Sequence, residues 1–403
     1  MATVVCLGTL DTKGHEYAFL CERLREHGVD CLIVDAGVHE AAGLEPDIGR
    51  DEVARAAGAD TVALAAEGDR GAAVTAMGAG AEAVVRELFT SGRLDGIVAL
   101  GGSGGSSIAA RAMRALPVGV PKLLVSTLAS GDTRPYVGAV DVTMMYSVVD
   151  ISGVNSVSAR IIANAAAAIA GMAQAAPPRL EGKPLVAATM FGVTTPCVTT
   201  ARERLEELGY EVLVFHATGS GGRSMEALAK DGFLAGVLDA TTTELADELV
   251  GGVLSAGPDR LEAAGAAGVP QVVSLGALDM VNFGPRETVP PQFEGRNLYV
   301  HNPTVTLMRT TVGECAELGR IIGRKLAAAS SPTAVFVPLG GVSMIDVPGQ
   351  PFHDADADAA LVAALKEELG DVELHERAEN VNDPAFAVAM ADRLHELIQA
   401  EAR

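Results

Sequence analysis

The amino-acid sequence predicts an α/β protein built from two Rossmann-like, doubly wound domains with mostly parallel sheets. Three observations predict this fold. Short apolar runs alternate with segments of helical periodicity, glycine-rich loops follow several of the apolar runs, and the pattern starts again near the middle of the chain. The length of 403 residues exceeds what one ordinary hydrophobic core organises, which also favours two domains.

The first half of the chain alternates predicted strands with predicted helices, which is the signature of a parallel sheet. Gly28 ends the first helix. A long alanine-rich helix ends the half, and its small side chains suggest close packing in a homodimer. The predicted strands are Thr3–Leu7, Cys31–Val34, Gly96–Leu100, Lys122–Ser126 and a further candidate, Val137–Val142, and the predicted helices are Glu16–His27, Ala81–Phe89, Ile108–Leu116 and Val154–Ala173.

A proline-containing segment over 177–184 is the predicted linker, so the expected domains are 1–176 and 185–403. The second domain repeats the first: Arg23 and Arg204 are 181 positions apart, and so are Gly28 and Gly209. An unbroken offset predicts an internal duplication, although βαβ units also resemble one another by chance. The predicted strands are Leu185–Met190, Glu211–Phe215, Gln271–Leu275, Asn297–Val300 and Ala334–Pro338, and the predicted helices are Thr199–Leu208, Val312–Ala328, Ala359–Leu369 and Pro384–Ala400.

The charge and the cysteine content of the chain indicate which partners and which cysteine chemistry to expect. The formal net charge is −22, which repels nucleic-acid phosphates and anionic lipid, so neither nucleic acid nor membrane is an expected partner. Five cysteines without a Cys-x-x-Cys pair predict reduced thiols and no metal cluster. The first residues lack a basic segment before their apolar run, so a cytoplasmic protein is expected.

The sharpest motif is a glycine-rich loop between a buried strand and a helix. Backbone N–H groups at a helix N-terminus bind anions, and glycines let a ligand approach them. One alternative is a tight turn without ligand. Another is a serine hydrolase, since the stretch also fits G-x-S-x-G with Ser103 as nucleophile. The loop comprises Gly101, Gly102, Ser103, Gly104, Gly105, Ser106 and Ser107.

Three more strand ends in the first half carry candidate ligand-binding residues. Lys13 stands at a helix start, where the helix dipole disfavours a cation unless an anionic ligand binds there. Asp11 suggests either a Mg²⁺ ligand or a helix cap, and Asp35 suggests a ribose ligand. Arg134 suggests a phosphate clamp or an ordinary surface loop. Thr9 and Thr12 complete this set of predicted cofactor-binding residues.

In the second half, polar residues follow three predicted strands and are candidates for binding a second ligand. His353 and Asp354 are possible metal ligands, but two residues do not define a site, so no metal is assigned. The second-ligand candidates are His216, His301, Asn302, Thr304, Arg309, Gly340, Gly341 and Asp346.

Five stretches resemble a known family: GTLDTKGHE, LGGSGGSS, HATGSGGRSMEAL, HNPTVTLMRTT and PLGGVSMIDVPGQPFHD. They resemble an uncharacterised bacterial family that is similar to the N-terminal ATP-binding domain of the tomato mosaic virus resistance protein. The resemblance implies two Rossmann-like subdomains, nucleotide binding and a dimer. The leading hypothesis is therefore a protein that binds ATP or a related nucleotide, with Mg²⁺ as a candidate metal, and that acts on a small metabolite in a cleft between its domains. The alternatives are a non-catalytic regulatory protein and a serine hydrolase.

Overall fold

Short buried strands alternate with helices along this computed structural model, which describes residues 1–176 and 182–401. The chain divides into two compact units, one up to residue 179 and one from residue 180. They are called the N-terminal and C-terminal units below, and each is described by itself. In the described residues no helix is both long and apolar enough to span a membrane.

The N-terminal unit is built on a five-stranded parallel sheet with the strand order β2-β1-β3-β4-β5. The central strands are buried on both faces, because helices cover the sheet from both sides. Its strands are β1 Thr3–Gly8, β2 Asp30–Asp35, β3 Gly96–Gly101, β4 Lys122–Ser126 and β5 Thr143–Tyr146, and its helices are α1 Leu10–Glu26, α2 Arg50–Ala56, α3 Thr61–Glu67, α4 Arg70–Thr90, α5 Ser103–Arg114, α6 Arg134–Val137 and α7 Ser158–Gln174.

Helices α1 and α7 pack on one face of this sheet, and helices α2, α4 and α5 pack on the other. In α7, Ile162, Ala166 and Ile169 are buried in the core of their own unit. The alanine-rich sequence of this helix is thus accounted for by packing on its own sheet. The homodimer stays a prediction.

The C-terminal unit contains a six-stranded parallel sheet with the order β14-β13-β9-β8-β6-β7 and a three-stranded antiparallel sheet with the order β10-β12-β11. Its strands are β6 Leu185–Met190, β7 Glu211–His216, β8 Gly236–Thr241, β9 Gln271–Gly276, β10 Met280–Phe283, β11 Leu298–Asn302, β12 Val305–Arg309, β13 Thr333–Pro338 and β14 Glu373–Arg377, and its helices are α8 Thr195–Glu207, α9 Ser220–Lys230, α10 Thr243–Val250, α11 Ala263–Ala266, α12 Val312–Ala327, α13 Ala355–Glu368 and α14 Pro384–Glu401.

The two parallel sheets share their strand order. Counting only the strands of each parallel sheet in chain order, the second strand lies at the edge, the first lies beside it, and the third, fourth and fifth follow; the C-terminal sheet adds a sixth strand, β14. Gly28 and Gly209 end the first helix of their units, both with positive φ (72° and 99°). The predicted α/β fold with two doubly wound, mostly parallel sheets is confirmed, and the two halves match in strand order.

Two predicted strands were wrong in detail. The segment Val137–Val142 holds the end of α6 and a turn, and the fifth strand begins only at Thr143. The predicted strand Asn297–Val300 overlaps β11, but this strand pairs antiparallel with β12 and not with the parallel sheet. Apolar runs alone do not reveal which sheet a strand joins, since both kinds of strand bury the same residue types.

Candidate functional site

A cavity of about 680 Å³ lies at the carboxyl end of the parallel sheet in the N-terminal unit. Segments that follow β1, β2, β3 and β4 line it, together with the start of α4. Strands β1 and β3 are neighbours, but the helices that follow them, α1 and α5, cover opposite faces of the sheet. This is the topological switch point, where doubly wound sheets bind ligands.

Tyr17 holds the two central strands at the mouth of this crevice. Its hydroxyl donates to the carbonyl oxygen of Leu7 on β1 and accepts the N–H of Leu100 on β3 at 2.8 Å. A Cβ at Gly8 would lie only 2.2 Å from the Tyr17 ring. Glycine is therefore required at position 8, so that the ring can reach between the strands.

The glycine-rich loop forms the N-terminus of α5, and this end of the helix is open. Ser106 N–H donates to the Gly102 carbonyl at 2.9 Å, and the helix has no side-chain cap. Within the described chain, the N–H groups of Ser103, Gly104 and Gly105 have no acceptor. Ser103, Gly104 and Gly105 all line the cavity, so three donors at the positive end of a helix dipole are available to an anion.

The glycines of this loop fall into two groups. A Cβ at Gly101 would lie 2.6 Å from the Ser106 nitrogen, so packing requires glycine there. A Cβ at Gly102, Gly104 or Gly105 would meet its nearest protein atom at 3.9, 3.5 or 3.7 Å, which is ordinary contact, and none of the three has positive φ. Neither packing nor backbone angle requires these three glycines, and the absence of side chains leaves the backbone of the loop accessible from the cavity.

Two cations line the cavity. Lys13 was predicted, and its ammonium group donates to the Ile151 carbonyl. Arg70 was missed. It begins α4 and lies near Gly104, and its guanidinium has no hydrogen bond or ion pair with the residues that the structure describes. No local sequence pattern identifies Arg70, because it reaches the loop only through the packing of α4 beside α5.

The two predicted carboxylates, Asp11 and Asp35, differ in their position relative to the cavity. Asp35 is buried, and its Oδ1 accepts N–H bonds from Leu10 (3.1 Å) and Gly37 (2.8 Å). Burial raises the pKa of Asp35, and its side chain does not line the cavity, which does not favour the ribose role. Asp11 does line it. Its Oδ2 accepts from Val38 N–H at 3.3 Å, and its buried Oδ1 has no partner among the described residues.

Several predicted residues lie away from the cavity or form hydrogen bonds with other groups of the protein. The Arg134 side chain is 89% exposed, pairs with Asp132 at 2.7 Å and does not line the cavity. Ser106 is buried against Ser126 (Oγ···Oγ 2.7 Å), and the Ser107 hydroxyl donates to the Ser103 carbonyl. These contacts stabilise the loop and the helix. The hydroxyls of Thr9 and Thr12 lie 2.9 Å apart at the cavity wall.

The hydrolase alternative depends on Ser103. This side chain is exposed at the cavity, but no histidine in the described chain forms a hydrogen bond with it. Its φ is not positive, whereas a nucleophile elbow is a strained turn. The geometry gives this alternative no support.

In the C-terminal unit the glycine-rich loop after β7 already holds an anion. The buried Glu244 carboxylate accepts N–H bonds from Gly219 (2.7 Å) and Gly222 (3.1 Å) at the start of α9. Arg260, also buried, donates to Glu244 at 2.7 Å. The protein's own carboxylate therefore occupies the position that an anionic ligand would take. The His216 side chain lies exposed at the end of β7.

The second-ligand candidates do not form one site. His301, Asn302 and Thr304 lie exposed at the turn between β11 and β12. Arg309 lies buried at the opposite end of β12. A single polar stretch of sequence is thus divided between the two ends of a strand, because the stretch folds as a hairpin and not as one loop.

The Arg309 side chain forms hydrogen bonds with several other groups of the C-terminal unit. Its guanidinium donates to Asp346 (3.1 Å), to Asp358 (2.8 Å) and to the Phe352 carbonyl (2.7 Å). Burial, together with the charges of Asp279 and Asp358, raises the pKa of Asp346 to about 8. Arg309 and Asp346 are therefore engaged with each other and with neighbouring groups of the C-terminal unit, and their ligand role stays a prediction.

A second cavity of about 430 Å³ adjoins this network and is lined by Gly340, Gly341 and His353. Asp354, considered above as a metal ligand, caps α13 by accepting the N–H of Ala357 at 3.1 Å. His353 Nδ1 lies 2.9 Å from the Asp346 carbonyl oxygen. The Arg309 guanidinium already pairs with the Asp346 and Asp358 carboxylates here, so these carboxylates do not need a metal ion to balance their charge.

The chain matches known proteins over nearly its whole length. A UPF0261 protein of Clostridium tetani is 54% identical over 399 residues, which is 98% of this chain and 99% of that protein. The ToMV resistance protein Tm-1(GCR237) of Solanum lycopersicum is 42% identical over 425 residues, which is 98% of this chain and 55% of the tomato protein.

Among solved structures, the Methanocaldococcus jannaschii UDP-GlcNAc 2-epimerase in complex with UDP-GlcNAc and UDP aligns with 98% of this chain and 100% of that one, at 9% identity and a TM-score of 0.23. A TM-score this low assigns no function. The family models are decisive: the uncharacterised protein family (UPF0261) N-terminal domain matches residues 2–178, and its C-terminal domain matches residues 183–398. The resemblance seen in the five motifs is thereby confirmed at the level of the family, and the chain belongs to the uncharacterised protein family UPF0261.

Proposed function

We propose that the cavity of the N-terminal unit binds a nucleotide, ATP or a close relative, through its phosphate groups. The observation that carries this proposal is the open N-terminus of α5, where Ser103, Gly104 and Gly105 present N–H groups without acceptors. Such a cluster of donors suits phosphate oxygens, which accept several hydrogen bonds at once.

Local charge supports the same ligand. The chain carries a formal net charge of −22, so an anion needs nearby positive groups to overcome the general repulsion. Arg70 and Lys13 supply them at the cavity wall. Arg70 in particular has no protein partner among the described residues, and a guanidinium binds phosphate in a bidentate manner.

The cavity also has an apolar wall, formed by Leu64, Val74, Met77 and Ile108. Met77 and Ile108 are buried members of the core, and Leu64 and Val74 pack against that core. A purine base suits such a surface, since ligand sites combine apolar walls with a few polar groups that fix orientation. Mg²⁺ accompanying the phosphates would be held by Asp11, whose Oδ1 has no partner in the described chain.

Calorimetric titration tests the proposal with three probes: ATP, inorganic tripolyphosphate and adenosine. We expect ATP to bind with one site per chain, tripolyphosphate to bind more weakly at the same site, and adenosine to bind weakest. Competition between tripolyphosphate and ATP would show that the phosphate groups of ATP occupy the shared site. Absence of ATP binding at millimolar concentration, with or without Mg²⁺, would refute the proposal.

A further inference from the structure

Three of the five cysteines meet in the N-terminal unit, although no sequence spacing links them. Cys6 lies on β1, Cys21 on α1 and Cys31 at the start of β2. Their sulfur atoms all lie within 4.8 Å of one another, and the Cys6 and Cys21 sulfurs are 3.9 Å apart. The spacing of these cysteines along the chain does not reveal the cluster, because only the packing of α1 on the sheet brings Cys21 to the other two.

The separation of the sulfurs matches that of a metal site. A metal ion bonded to three sulfurs at about 2.3 Å in a trigonal plane holds them about 4 Å apart. The register of β1 and β2 supplies this arrangement. Cys31 pairs with Val4 and Ile33 pairs with Cys6, so Cys6 and Cys31 point to the same face of the sheet, the one that α1 covers.

The ligand set is soft and its surroundings are apolar. Cys6 and Cys21 are fully buried within the hydrophobic cluster between the sheet and helices α1 and α7. Only sulfur atoms make up this group. Thiolates of this kind select Zn²⁺ and related thiophilic ions over Mg²⁺ or Ca²⁺. Cys31 is only half-buried and lies on the edge strand β2, which gives an ion a route to the site.

Metal binding at this cluster displaces protons. Each thiol that becomes a ligand releases its proton to solvent as its M–S bond forms, because the thiolate is the form of cysteine that binds a metal. Three thiolates around M²⁺ carry a net charge of −1, so a divalent ion keeps the buried charge small.

We propose that Cys6, Cys21 and Cys31 form a structural site for a divalent thiophilic cation, Zn²⁺ in the cell. The ion would join β1, α1 and β2. It would therefore stabilise the side of the N-terminal unit on which α1 packs, since a ligand that binds only the folded chain raises its stability.

The test uses the full chain, reduced with a phosphine and freed of metal by a chelator. We expect titration with Cd²⁺ to produce a sulfur-to-metal charge-transfer band in the ultraviolet that saturates at one equivalent, and to raise the melting temperature. Zn²⁺ should compete away the band, and binding should release protons into a weak buffer, because thiols lose their protons when they bind a metal.

Matched cysteine variants locate the site. Cys31→Ser changes the half-buried member and is expected to fold, as circular dichroism would verify, yet to lose the stoichiometric band; Cys21→Ala provides a second variant. Cys197→Ser changes a buried cysteine outside the cluster and should retain the full band. A wild-type chain without a band at one equivalent of Cd²⁺, or an unchanged band in folded Cys31→Ser, would overturn the proposal.

Discussion

The Tyr17 hydroxyl accepts the N–H of Leu100 at 2.8 Å and thereby ties α1 to the strand that leads into the glycine-rich loop. Tyr17→Phe removes this acceptor and leaves a buried N–H unpaired. We expect the free energy of unfolding to fall by about 1–3 kcal/mol, the usual cost of an unsatisfied buried donor. Urea denaturation measures the change. Tyr146→Phe, at an exposed tyrosine, is the control and should change stability little.

Gly104 tests the anion site itself. An added Cβ meets its nearest protein atom, a guanidinium nitrogen of Arg70, at 3.5 Å, so Gly104→Val should fold normally while its methyl groups occupy the space in front of the free N–H groups. We expect ATP affinity to fall at least about tenfold, through lost hydrogen bonds to charged oxygens. Gly171→Val, in α7 where a Cβ meets nothing within 4 Å, is the matched control. A folded Gly104→Val chain with unchanged affinity would place the phosphates elsewhere.

Arg70 and Arg134 are the two arginines considered as phosphate ligands, and we expect their replacement to affect ATP affinity differently. Arg70→Gln removes a guanidinium that lines the cavity, and we expect ATP affinity to fall roughly 10- to 100-fold, as for one charge-assisted hydrogen-bonding group. Arg134→Gln changes an exposed arginine that already pairs with Asp132, and should leave affinity unchanged. The reverse result would restore the interpretation of Arg134 as the phosphate clamp.

The features that could be predicted from the sequence are those that a local pattern of residues determines. Strands β1 and β3 and the loop from Gly101 were found because buried strands followed by glycines have a clear signature. Long-range packing determines the rest. Arg70 reaches the loop only because α4 packs beside α5, and Glu244 occupies the second glycine-rich loop from another helix. The hairpin β11–β12 likewise separated Arg309 from the polar residues near it in sequence.

Ser103→Ala separates binding from nucleophilic chemistry. The backbone N–H groups persist in this variant, so we expect ATP affinity to change by less than about threefold, since a single neutral hydrogen bond contributes little net free energy. A fluorophosphonate probe should not label the wild-type chain. Stoichiometric labelling of the wild type that Ser103→Ala abolishes would instead support the serine hydrolase.

The carboxylates around Arg309 predict a pH dependence of stability. Burial, followed by the charges of Asp279 and Asp358, raises the folded-state pKa of Asp346 to about 8, above the ordinary value of about 4. A raised carboxyl pKa means that the folded state binds the proton more tightly than the unfolded state. Its stabilisation is therefore complete below about pH 4 and is lost progressively as the pH rises from about 4 through about 8, with roughly 2 kcal/mol lost between pH 6 and pH 8.

Asp358→Asn removes one of the charges that repel the Asp346 carboxylate and keeps the volume of the side chain. We expect its stability to fall less between pH 6 and pH 8 than that of the wild type, in urea denaturation at both pH values. Asp356→Asn changes an exposed carboxylate in the first turn of the same helix, α13, and should preserve the wild-type slope. If both variants keep that slope, repulsion from Asp358 does not control the proton at Asp346.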